Sequence, residues 1–161
     1  MAGDYLSSQS TPREGSITGS SLGEACGSDI RLTLPARPEN VAVVRHVLAA
    51  FADALGLPTA VRDDLRLAVT EACTNVVRHA YGDEDGVVDV VMRPSGKAIE
   101  VIVADSGRGH GPSGDTAGPG LGMALISALA DSLEVERRAG SGRRVVMRFR
   151  RSRLQPAMGL A

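Results

Sequence analysis

"EACTNVVRHAY", residues Glu71 to Tyr81, sets an acid, a carboxamide, an arginine and a histidine along one uninterrupted helical stretch. At roughly 100° per residue, Glu71, Asn75 and Arg78 share a face with Asp64 nearby, opposite an apolar stripe of Leu65, Val69, Ala72 and Val76. Most helices on a domain surface show one polar face to water, so this stretch alone reads as a solvated face. What lies on either side of it decides the fold and changes that reading.

Working outward, the helix begins near Thr59, just after Gly56 and Pro58 close an earlier helix. That earlier helix starts at Pro38 and carries Val41, Val44, Leu48, Phe51 and Leu55 at helical spacing. Before it, "DIRLTLPA" (Asp29 to Ala36) alternates Ile30, Leu32 and Leu34 with polar residues and stops at a proline, the pattern of a strand. Downstream, "GVVDVVMR" and "AIEVIVAD" are β-branched runs joined by "PSGK", a hairpin signal. A glycine-dense stretch, "SGRGHGPSGDTAGPGLG", then leads into a third helix marked by Leu121, Leu125, Leu129 and Leu133. "SLEVERRAG" and "GRRVVMRFRR" read as two further strands. In the last, Val145, Met147 and Phe149 alternate with Arg144, Arg148 and Arg150, so one face is buried and the other solvated. The order β-α-α-β-β-α-β-β predicts the α/β class: a two-layer sandwich with helices on one face of a mixed sheet.

The 161 residues suit one compact domain with tails, and 43% hydrophobic content supports a sizeable core. With 2% aromatics and no Trp that core must be aliphatic, which disfavours base stacking on aromatic platforms. A formal charge of -1 gives no global attraction to nucleic acid or to membranes. Neither direct nucleic-acid binding nor membrane binding is expected. Cys26 and Cys73 form neither a disulfide framework nor a metal cluster, as suits a reducing compartment. The opening residues lack the basic and apolar regions of a secretory leader, and no apolar run nears the roughly 18 to 20 residues that span a bilayer. A cytoplasmic location is expected. Residues 1–28, rich in Ser, Gly and Thr, are expected to be a disordered tail, 29–151 the folded domain and 152–161 a C-terminal tail.

The glycine loop contains a decoy. "GHGPSG" (Gly109 to Gly114) matches G-x-G-x-x-G after a strand, but Pro112 to Asp115 follow where a dinucleotide fold opens into a helix, and no P-loop pattern occurs. A bland flexible loop would explain the glycines. It explains less well why Asp105 stands at a strand end with Gly107 and Gly109 spaced after it, and why "GPGLG" abuts a helix, where backbone N–H groups gather as an anion site.

Three boxes taken together carry a family resemblance: Glu71-x-x-x-Asn75 followed by "RHAY", Asp105-Ser-Gly107-Arg-Gly109, and Gly118-Pro-Gly120-Leu-Gly122-Met-Ala-Leu-Ile. They resemble the nucleotide-binding boxes of the gyrase, heat-shock chaperone, histidine kinase and mismatch-repair ATPase superfamily, with its histidine-kinase-like ATPase fold. The wording "TEACTNVVRHAY" is most similar to the bacterial anti-sigma factor serine kinases, and the likeness spans about Leu32 to Arg150.

The resemblance implies ATP and Mg²⁺ as cofactors and a role for each box. Asn75 would bind the metal through its side-chain oxygen, and Arg78 would help neutralise phosphate charge, although a solvated arginine explains it equally well. Asp105 would accept a hydrogen bond from the adenine amino group, with Gly107 and Gly109 letting the backbone approach the base. Gly118, Gly120, Leu121 and Gly122 would present N–H groups and the positive helix end to the phosphates. Glu71 would be the general base toward a serine hydroxyl. The implied partners are a sigma factor and an antagonist protein whose serine is phosphorylated, and homodimers are common in the family. The chain departs from the family pattern at His110, where Phe is usual, in a short stretch from His110 to Ala117 for a lid, and at Gly142-Arg143, where Gly-Thr is usual. The short lid and the lost threonine favour an alternative from another class, a partner-binding module without kinase activity, whereas Glu71 and Asn75 together favour the kinase. The arginine-rich last strands read more readily as a solvated sheet face than as a partner surface.

Overall fold

The computed structural model describes residues 29–108, 120–138 and 141–152. The segment expected to form the N-terminal tail lies outside the described residues, as do 153–161 of the C-terminal one. The elements run β1 (Ile30–Pro35), α1 (Pro38–Ala54), α2 (Thr59–His79), β2 (Val87–Ser95), β3 (Ala98–Ala104), α3 (Leu121–Leu129), β4 (Ser132–Arg137) and β5 (Arg143–Arg150).

The strands form one sheet in the order β1-β2-β3-β5-β4. The two-layer α/β architecture holds, but each pairing is antiparallel, where the alternation of elements predicts a mixed sheet. The connection explains the difference. α3 carries the chain from β3 to a β4 that runs in the same direction, and β5 then folds back as a hairpin into the gap between them. The two parallel strands never become neighbours.

Helix α1 ends in a Schellman motif: Gly56 adopts φ +61, its N–H donates to Asp53 O, and the Leu57 N–H reaches back to Ala52 O. The reversal lets α2 return along α1. Leu133, read from its spacing as a last turn of α3, belongs to β4 instead. The helix stops because Ala130 turns extended (ψ 145), after which the Asp131 N–H donates to Arg148 O and the ladder begins.

The helices cover the sheet face that carries Val88, Val90, Met92, Ile99, Val101, Val103, Val145, Met147 and Phe149. From α1 and α2 come Val44, Leu48, Phe51, Val61, Leu65, Val69, Ala72 and Val76, so the core is largely aliphatic, as the composition requires. Burying each large side chain is worth about 1.5–3 kcal/mol.

The opposite face of the sheet is open and charged. Its register sets Glu100 of central β3 opposite Arg93 on one side and Arg148 on the other. Both arginines bond the carboxylate, Arg93 Nε at 2.9 Å and Arg148 Nε at 2.8 Å, while Arg144 pairs with Glu136 at 3.0 Å. These arginines therefore serve a paired, solvated sheet face. No helix among the described residues is long and apolar enough to cross a membrane.

Candidate functional site

Helix α2 buries Val61, Leu65, Ala68, Val69, Ala72, Cys73 and Val76. This rotation leaves Glu71 and Asn75 half-buried at the edge of the buried stripe and Arg78 exposed one turn further on. Against that edge lies the first turn of α3. A Cβ at Gly122 would fall 2.9 Å from Glu71 Cδ, nearer still to its Oε1, and 3.2 Å from Asn75 Nδ2. Two segments about fifty residues apart in sequence thus meet at the distance where only a hydrogen fits.

The start of α3 is chemically open. Gly120 is its N-cap, no side chain among the described residues caps it, and its first turn holds no acidic residue. Gly120 O accepts the N–H groups of Met123 and Ala124, so the N–H groups of Leu121 and Gly122 precede the first intrahelical bonds. Leu121 itself is 93% exposed. N–H donors that precede the intrahelical bonds, at the positive end of a helix dipole, are suited to an anion.

The second half of the site is the turn after β3. Asp105 is buried, its backbone N–H donates to Arg143 O at 3.0 Å, and its Oδ1 accepts the Gly107 N–H at 3.0 Å. Burial pushes the carboxyl above the ordinary aspartate range, against the opposing pull of the Gly107 and Arg143 backbone and of the Arg143 and Arg138 charges. A Cβ at Gly107 would lie 2.8 Å from Ala80 Cβ and closer still to the Ala80 carbonyl, so the turn rests directly on the end of α2. Gly142 closes it from the other side. Its φ of +97 lies in the region glycine favours, and a Cβ there would sit 2.8 Å from Ser106 Cα.

Among the expected site residues, the structure brings together Glu71, Asn75 and Gly122, with Gly120 and Leu121 beside them. It sets Gly107, two residues after Asp105, against Ala80, the C-cap of the same helix α2. Gly109 and Gly118 lie outside the described residues, as do His110 and the stretch to Ala117. Among the described residues no group of three or more His, Cys, Asp or Glu side chains is arranged to hold a metal ion. A hard cation would instead rely on the oxygen of Asn75, with phosphate oxygens and water completing its shell, a donor set that suits Mg²⁺. Two concavities on the described surface, of about 360 Å³ on the open sheet face and about 310 Å³ between α1 and α2, contain none of these residues.

Sequence reasoning assigned no role to Tyr81. Its ring lies over Gly86, and its hydroxyl donates to Val87 O at 2.6 Å while accepting the Ser106 N–H at 3.0 Å. The available signal was scarcity, since the chain has only 2 Tyr and 2 Phe, and one of them stands just after the motif helix.

Comparison with known proteins bears on this geometry. The family model described as "Histidine kinase-like ATPase domain" matches residues 34–149. The serine-protein kinase RsbW of Halalkalibacterium halodurans is 36% identical over 126 residues, covering 69% of this chain and 77% of the relative. The RsbW of Bacillus thuringiensis is 33% identical over 122 residues, covering 66% and 76%. Among solved structures, the RsbU and RsbW domains of Rv1364c from Mycobacterium tuberculosis superpose with a TM-score of 0.64 at 24% identity. That match covers 79% of this chain and 33% of the longer protein, and at this identity it shows the fold.

Proposed function

The chain belongs to the histidine kinase-like ATPase domain family and, within it, to the anti-sigma factor serine kinases, and from that premise we propose that it phosphorylates a serine of an antagonist protein with ATP. In the same reading it holds a sigma factor away from RNA polymerase in the cytoplasm, and phosphorylating the antagonist preserves that hold. One observation carries the proposal: the N-terminus of α3 abuts the edge of α2 that bears Glu71 and Asn75.

In this mechanism the Asp105 carboxylate accepts a hydrogen bond from the adenine amino group, and the close backbone at Gly107 and Gly109 admits the base. The N–H groups of Leu121 and Gly122 hold phosphate oxygens, with Gly118 and Gly120 leaving the approach clear of side chains and Arg78 adding positive charge. Asn75 would hold Mg²⁺ through its side-chain oxygen, and the ion would supply charge neutralisation for the transfer. Glu71 takes the proton from the acceptor serine hydroxyl as its oxygen bonds to the γ-phosphorus and the bond to ADP breaks. Positioning and charge neutralisation provide most of the catalysis in such a transfer.

Calorimetric titration of Mg-ATP into the full chain tests the reading, with Asn75→Ala and Asp105→Asn as controls. Magnesium-dependent binding that both substitutions abolish is the expected result. No binding by the unsubstituted chain at millimolar nucleotide would sink the kinase and leave the partner-binding module, which Arg143 in place of the usual threonine favours.

A further inference from the structure

We propose that Tyr81 is a positioning residue that ties the base-binding half of the nucleotide site to the phosphate-binding half, and so controls affinity for ATP. The inference rests on the nucleotide-site reading above and extends it to a residue outside the three boxes.

The two halves stand on different elements. Glu71 and Asn75 belong to α2 and face the start of α3, whereas Asp105, Ser106 and Gly107 form the turn that leaves β3. A nucleotide bound across both would need their separation held constant. From the β5 side the turn is held by the Asp105 N–H to Arg143 O and by the Ser141 hydroxyl, which donates to Ser106 O at 3.0 Å. From the α2 side Gly107 rests against the Ala80 backbone, a contact that limits approach and supplies no direction.

Tyr81 supplies the direction. It follows Ala80 at the end of α2, and its hydroxyl accepts the Ser106 N–H at 3.0 Å while donating to Val87 O at 2.6 Å. One oxygen therefore joins the end of α2, the start of β2 and the residue between Asp105 and Gly107. The ring that carries it is seated over Gly86, where a side chain would overlap it, so the hydroxyl is presented from a fixed platform. A hydrogen bond made through a rigid ring fixes a distance and an angle together. With the tie cut, the turn keeps its β5 anchors but can shift relative to α2.

Tyr81→Phe removes the hydroxyl and keeps the ring on Gly86. In the nucleotide-free full chain, amide hydrogen exchange at Ser106 is expected to speed up by roughly tenfold or more, with the urea midpoint little changed. Calorimetry is then expected to show Mg-ATP binding weakened by about tenfold, recovered when Tyr is restored. Unaltered exchange at Ser106 overturns the tie whether or not the unsubstituted chain binds nucleotide. Faster exchange with unaltered Mg-ATP affinity overturns its role in nucleotide binding. If the unsubstituted chain binds no Mg-ATP while the variant exchanges faster, the kinase reading and the nucleotide role fall together, and the tie itself stands as a local structural contact.

Discussion

Gly122 lies so close to Glu71 that a Cβ at position 122 would fall 2.9 Å from the carboxyl carbon and nearer still to Oε1. The obstructed atom is the far end of a flexible side chain, so an added methyl group can be relieved by swinging the carboxylate away. Alanine at 122 would thus displace the proposed general base and crowd Asn75, with the fold intact.

Gly122→Ala is accordingly expected to lower phosphoryl transfer on the order of 100-fold, the scale of a 1 Å misplacement at a reacting centre. Stability should hold or rise slightly, because Ala is the better helix former. Kinase assay and urea denaturation on the same preparation test this; a loss of stability matching the loss of activity would refute it.

Asp105→Asn should separate stability from binding. Burial raises the Asp105 carboxyl above its ordinary 3.8, so the folded state holds this proton more tightly than the unfolded chain does. Its favourable contribution is complete below that value and disappears as pH rises through the raised folded value. The stability of Asp105→Asn relative to the parent should therefore climb with pH from about 3.8 upward and then level off, while Mg-ATP binding is lost. Denaturation at a series of pH values would show the climb, and a difference that is flat with pH would exclude it.

Glu100 should show the reverse dependence. Burial alone would raise its carboxyl, but the hydrogen bonds and charges of Arg93 and Arg148 outweigh that and hold it below the ordinary 4.5. The resulting stability is present above 4.5 and is lost as pH falls through the lower folded value. Glu100→Gln should shallow the acid limb of the stability profile. Glu100→Ala should cost about 1–3 kcal/mol at neutral pH, at the lower end because both arginines are partly exposed. An unaltered acid limb in the glutamine variant would rule out this source.

Phe149→Ala should be among the most damaging core substitutions, at about 3–5 kcal/mol. The side chain is 1% exposed on the covered face of β5, in a core with few aromatic residues to fill the gap. A urea-derived loss below about 1 kcal/mol would mean that the site collapses around the missing ring.

Cys73 should be chemically silent in the folded chain. It is fully buried on α2, and burial pushes the thiol up to about 12, leaving almost no thiolate at neutral pH. With Cys26→Ser as background, a disulfide reagent should label the protein only after denaturant is added. Rapid labelling of native protein would disprove that burial.

Much of the architecture was legible because local periodicity is a local property. The alternation in β1, the stripes of α1 and α2 and the β-branched hairpin each place one face inward irrespective of the rest of the chain. Leu133 misled for the same reason: it continues the four-residue spacing of Leu121, Leu125 and Leu129, and only the pairing of Asp131 with Arg148 ends the helix before it. Parallel neighbours were expected from the order of elements, yet the order does not say that β5 will insert between β3 and β4.

By itself the sequence determined the element types, the aliphatic core and the residue kinds capable of holding a nucleotide, since these depend on composition and on spacing within single segments. The tertiary structure alone decided that Gly122 meets Glu71, that Gly107 rests on Ala80 and that the Tyr81 hydroxyl reaches Ser106. Each of these contacts joins segments at least 25 residues apart, and their distances follow from how α2 and α3 pack on one sheet. No pattern within a single segment encodes that packing.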